Sequence, residues 1–176
     1  MRSLLLLLPL LLPSSGLAPA LPRRAFLAAP ALSLLSLAQP SDAAVKFCPP
    51  KAANCVIGVF SAPDAGKAAA QLDAVLRAYP QEGHKESGSL VDGGGNEVLS
   101  SEGGRTVMEF RSAGTGNFAK WMNGGKPFVD DLEAGVEGGV ATVYSRSRVG
   151  DSDFGVNAAR VKWIGDRLEK EGWARK

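Results

Sequence analysis

Nine charged residues, Arg111, Asp130, Asp131, Glu133, Arg146, Arg148, Asp151, Asp153 and Arg160, crowd the later part of the chain with both signs. They hold most of its capacity for chemistry. An arginine fork grips a carboxylate or phosphate with two parallel hydrogen bonds, and a carboxylate accepts protons or caps a helix. Three readings follow. The first is ion pairing across neighbouring strands. The second is a polar pocket for an anionic or polar ligand, with arginines as the forks. The third, catalysis, lacks a nucleophile or tuned base beside the charges. Asp151 or Asp153 suits the cap of a following helix, and Asn157 suits it equally.

Other combinations fail on their spacing. Asp153-Phe154-Gly155 matches a kinase magnesium triplet by letters, but the chain lacks a matching catalytic loop. Gly66-Lys67 falls in a near-miss phosphate loop: Ser61 stands where Gly is required, and Ala68 where a hydroxyl must reach magnesium. Asp151 and Asp153 open a calcium-type loop that Gly155 and Lys162 then spoil. His84, the one histidine, sits between polar residues and reads as a solvated loop side chain, without an acid placed to aim it at Ser145 or Ser147. Asp130 and Asp131 are neighbours on a strand, so they point to opposite faces and share no proton.

The elements that must position these groups follow from periodicity. Ser61-Ala62-Pro63-Asp64 resembles a capping box. Behind it Ala65, Ala68, Ala69, Leu72, Val75, Leu76 and Tyr79 recur at helical spacing until Pro80. Strands are expected over 87–91, 97–100, 106–112, 127–134 and 140–148, the last two joined by the hairpin connection 135–139. Residues 116–123, with Phe118, Trp121 and Met122, read as a short helical turn. A final helix runs from about Asn157 to Glu171, with Val161, Ile164 and Leu168 as its apolar stripe and Gly172 as its stop. Trp163 lies off that stripe, placed to cover a strand or loop. Helix, strands in sequence, then helix predicts an α+β fold: an antiparallel sheet of about five strands with two main helices packed on one face.

Residues 1–44 read as two export signals in series, expected to be removed. Arg2 precedes the leucine-rich run 4–12, which ends in Ser14-Ser15-Gly16-Leu17-Ala18-Pro19. Arg23-Arg24 opens a second apolar run that closes on Ser41-Asp42-Ala43-Ala44, a twin-arginine signal with its own cleavage site. Neither run reaches the roughly 20 apolar residues that span a bilayer. The order resembles the layered targeting of algae with complex plastids, which predicts the thylakoid lumen. A bacterial signal peptide, and so a periplasmic or secreted protein, is the alternative. Residues 45–176 then form a single globular domain. Without Arg2, Arg23, Arg24 and Asp42 it holds 17 basic and 17 acidic residues. Such a neutral domain lacks the cationic excess that nucleic acid or anionic lipid demands. Glycine makes up 20 of its 132 residues, about twice the usual share. The glycines cluster between β-type runs, as hairpin loops require.

Phe110-Arg111-Ser112, Phe128-Val129-Asp130-Asp131-Leu132-Glu133 and the run Tyr144 to Arg160 (Tyr-Ser-Arg-Ser-Arg-Val-Gly-Asp-Ser-Asp-Phe-Gly-Val-Asn-Ala-Ala-Arg) resemble the family called domain of unknown function 1499. Cys48 and Asn54-Cys55-Val56 resemble its opening. The chain departs from the family pattern where Ala113 to Pro127 intervene, and where Ile57-Gly58 replace serines. The resemblance implies a lumenal setting and brings no activity or cofactor with it.

Cys48 and Cys55 are expected to pair, since the lumen tolerates disulfides; two free thiols are the alternative. A metal site there would lack two further ligands. Enzymatic activity is left open, with the balance against it. The functional expectation is a non-catalytic accessory or assembly factor, with the lumenal face of a photosynthetic membrane complex as partner. A binder of a small polar or anionic ligand, or an enzyme, built on the Arg/Asp cluster of residues 130–160 is the alternative. Its candidate residues are Arg111, Asp130, Asp131, Arg146, Arg148, Asp151, Asp153, Asn157 and Arg160.

Overall fold

The structure is a computed structural model that describes residues 46–113 and 121–176. The expected leader, and residues 116–120 of the expected helical turn, lie outside the described residues; Trp121 and Met122 are helical. The element order is β1 (Cys55–Ser61), α1 (Ala68–Arg77), β2 (His84–Glu86), β3 (Ser89–Val91), β4 (Asn96–Glu102), β5 (Arg105–Arg111), β6 (Val129–Glu137), β7 (Val140–Ser147), α2 (Val156–Lys170) and β8 (Ala174–Arg175). Six strands make one antiparallel sheet in the order β4-β5-β6-β7-β1-β8, and β2 and β3 form a separate ribbon. The fold is α+β, with six strands in the sheet instead of about five.

The difference lies at both ends of the chain. The run at 87–91 leaves the main sheet to pair with β2, while β1 and β8 join it unannounced. Gly58 breaks the apolar pattern of β1. It is there because a Cβ would come 2.6 Å from Val161 Cγ1 of α2, so only glycine admits so close an approach. The expected capping box does not form. Ser61 is held in the sheet opposite Val140 and Ala174, and α1 starts at Ala68 behind Lys67, which makes no side-chain cap. The β6–β7 connection is tighter than 135–139. Pairing continues to Glu137–Val140, and Gly138-Gly139 turn the chain with φ of 55° and 80°, the double positive φ of a two-residue hairpin turn.

Strand alternation decides the core. Phe60, Met108, Phe110, Leu132, Ala134, Ala141 and Val143 gather with Leu72 and Leu76 of α1 and Val161, Ile164 and Leu168 of α2 into one buried cluster. Register explains the match: Met108 faces Leu132, Ala134 faces Val143, and Phe60 faces Ala141. Each large side chain fully buried there contributes about 1.5–3 kcal/mol. The α2 stripe is the one read from its spacing. Trp163 packs on Tyr79, 4.7 Å between ring centroids, under the Arg167 guanidinium. Cys48 and Cys55 form a disulfide, which ties the first described residues to β1 beside buried Tyr144.

Candidate functional site

Helical spacing puts Asn157 and Arg160 on the inward side of α2, above the core-facing serines of β7 and Asp130 of β6. Arg160 is fully buried. Its Nε donates to Asp92 Oδ2 at 2.8 Å. Nη1 donates to Ser145 Oγ and to Asn157 Oδ1, each at 2.7 Å. Nη2 donates to Asp92 Oδ1 and, at 2.7 Å, to Asp130 Oδ2. All five guanidinium donors are satisfied, and the Phe110 ring lies 4.3 Å from the guanidinium carbon. Asn157 is equally saturated: Oδ1 also accepts from Ser145 Oγ, and Nδ2 donates to Ser147 Oγ and the Asn54 carbonyl. The buried guanidinium is held charged, its pKa raised well above the usual arginine value by Asp92 and Asp130 in spite of the opposing cost of burial.

Asp92 reaches this network from the loop after β3, with φ of 56°, a left-handed conformation that Asp tolerates better than most residues. The loop lies flat on β5. Gly94 N–H donates to the Arg111 carbonyl at 2.9 Å, and a Cβ on Gly94 would collide with the Ser112 carbonyl at 2.3 Å. Tyr79 hydroxyl donates to Asp92 Oδ2 at 2.6 Å, and burial beside that carboxylate pushes its pKa up. The hydroxyl has one proton, so His84 Nδ1, 2.9 Å away, is the donor to its oxygen. His84 is therefore half-buried in β2 and not a solvated loop residue. Its Nε2 is buried without a hydrogen-bond partner, and desolvation holds its pKa below the ordinary histidine value.

A cleft of about 330 Å³ opens beside this network. Leu90, Met122, Phe128, Val149 and Phe154 wall it, and Asp92, Asp130 and Ser147 stand at its base. Leu90, Met122, Val149 and Phe154 are each about half exposed or more. Asp151 and Asp153 also border the cleft. Asp153 caps α2, accepting from the N–H groups of Gly155 at 2.9 Å and Asn157 at 2.7 Å; Asn157 is committed to the buried network and does not cap.

The remaining charges occupy the opposite face of the sheet. Arg148 grips Asp131 with Nε and Nη2 and reaches Glu109 at 2.8 Å. Arg111 pairs with Glu97 at 3.1 Å and with Glu109. Arg146 is exposed and makes no ion pair among the described residues; it borders a shallow depression with Lys46, Asp131, Tyr144 and Arg148. The nine-residue candidate cluster is thus two assemblies. Asp130, Asn157 and Arg160 are buried together, with Asp151 and Asp153 at the adjoining cleft, while Arg111, Asp131, Arg146 and Arg148 lie across the sheet. No two arginines converge unpaired on a cleft among the described residues.

Residues 42–168 match the family model described as protein of unknown function (DUF1499). The chain belongs to that family. No curated protein and no solved structure matches it. The run by which the chain resembles its family now has a physical reading. Ser145, Ser147, Asn157 and Arg160 are the buried network, Gly150 supplies a carbonyl to Asn54 Nδ2 at 2.6 Å, and Asp153 starts α2. Of the Ile57-Gly58 departure, Gly58 lies under α2 while Ile57 packs with Cys55 and Tyr144 on the other side of β1, and the intervening segment after Ala113 contributes Met122 to the cleft wall. The sequence reading missed Asp92, Tyr79, Ser145 and Ser147. The serines alternate on β7 and so share its core face, a usable signal. An Asp before a glycine run reads only as a turn.

Proposed function

We propose that this protein is a non-catalytic binding protein of the thylakoid lumen, exported there by its first 44 residues and working as an accessory or assembly factor for photosynthetic membrane complexes. The observation that carries the reading is the cleft rim: Leu90, Met122 and Val149 keep about half of their surface in water around one opening. Exposed apolar side chains grouped around a concavity mark a contact site. The floor beneath is fixed by paired charges, which gives the rim a rigid base. In this reading both helices cover the same face of the sheet, supported by the one cluster they share with it, and the charged outer face stays in solvent.

A test is native-gel migration of the protein from thylakoids, combined with sequencing of its N-terminus. The expected result is a start near Ala44 or Val45 and co-migration with a photosynthetic complex that Val149→Asp abolishes at unchanged melting temperature. Migration only at the size of the free protein, or a start at Met1, contradicts the reading. One observation favours a second reading, a small-ligand site: Asp130 at the cleft floor has one carboxylate oxygen without a donor among the described residues.

A further inference from the structure

The charges that border the cleft have one sign. Asp92, Asp130, Asp151 and Asp153 line it, and no lysine, arginine or histidine does so among the described residues. Arg160 lies below the floor, fully buried, with every donor spent on other partners. Both oxygens of Asp92 are taken by Arg160 and Tyr79. Asp130 differs. Its Oδ2 accepts from Arg160, while Oδ1 accepts from no described side chain. Among the described residues the buried unpartnered side-chain atoms are His84 Nε2 and Arg105 Nε, so Oδ1 of Asp130 is reached from the cleft. A carboxylate whose side chain is 9% exposed keeps an acceptor for a donor that enters.

We propose that the cleft binds a small amphipathic amine, its protonated nitrogen donating to Asp130 Oδ1 and its apolar body lying against Leu90, Phe128 and Val149. The proposal rests on the small-ligand reading of the cleft. Charge complementarity selects the head group: a buried cation costs several kcal/mol unless it is paired, and Asp130 pairs it. A carboxylate or phosphate in the same place would meet four carboxylates and no available arginine. A divalent cation fits poorly, because no three of the described carboxylates are grouped to hold one. Apolar walls around a few polar groups, in a volume of about 330 Å³, suit a small organic molecule.

Calorimetric titration of the purified protein with n-octylamine, 1-octanol and octanoate at neutral pH tests this. Octylamine is expected to bind, octanol about tenfold or more weakly, as loss of a charge-assisted hydrogen bond implies, and octanoate not at all. Asp130→Asn is expected to bring octylamine down to the octanol level, Asp92 still holding Arg160. If that variant does not fold, the three-ligand comparison on the unaltered protein decides. Octanol as tight as octylamine, or octanoate tighter, overturns the amine while leaving the cleft a ligand site. No binding by any of the three overturns both the amine and the small-ligand reading.

Discussion

Every donor of the Arg160 guanidinium is engaged within the fold, so this residue builds the floor of the cleft and is not a fork for a ligand. A buried charge with all partners in place is tolerated, whereas removal of one member strands the others in low dielectric. Arg160→Met leaves Asp92 and Asp130 as buried carboxylates facing each other. It is expected to cost about 3–5 kcal/mol of unfolding free energy, measured by urea titration; a loss under about 1 kcal/mol would assign the network no structural role. At this scale the sequence was legible by type and not by face. Charge alone nominated Arg160 and Asp130 together with Arg111, Asp131 and Arg148, although the sheet separates them, and Asn157 was nominated as a helix cap. Asp130 and Asp131 were separable, since adjacent residues on a strand face opposite ways. Asp92 was beyond reach because its role depends on a loop laid across β5, a contact distant in sequence.

Strand register explains the outer face. Glu97 faces Glu109, and Glu109 faces Asp131, so three carboxylates cross β4, β5 and β6 side by side. Like charges directly opposite one another destabilise a sheet. Arg111 and Arg148 reach over from neighbouring positions and bridge them. Arg148→Ala is therefore expected to lower stability by up to about 1 kcal/mol at low salt, and the loss should shrink as salt screens the acids. Glu109→Gln added to that variant should restore part of it. Thermal melts of the single and double variants check this, and additive losses would contradict the bridging account. Element-scale legibility followed periodicity. The second helix, with its stripe of Val161, Ile164 and Leu168, was found within a residue at either end because its burial is one-sided. β1 was not found, since Gly58 answers to the packing of Val161 and not to the pattern of its own strand. The capping box at Ser61 failed for a related reason: sheet pairing to Val140 and Ala174 claimed that residue first.

At the scale of the whole molecule, the sheet divides its charges between an outer face of paired acids and arginines and a buried hub on the core face, and the hub adjoins an apolar-walled cleft. No helix among the described residues is long and apolar enough to cross a membrane. The α+β class was legible because the order of elements allows few layer arrangements. The cleft was not, because its wall joins Leu90, Met122, Phe128 and Val149 from separate segments and no local pattern records their meeting. The account rests on that cleft, and not the charged outer face, being the place where the protein binds. The direct measurement is a map of amide chemical-shift changes in the ¹⁵N-labelled protein as n-octylamine is added. The account predicts shifts concentrated at residues 90–92, 128–130 and 149–156, with the outer-face strands unmoved. Shifts centred instead on Glu97, Glu109, Asp131 and Arg146 would contradict it.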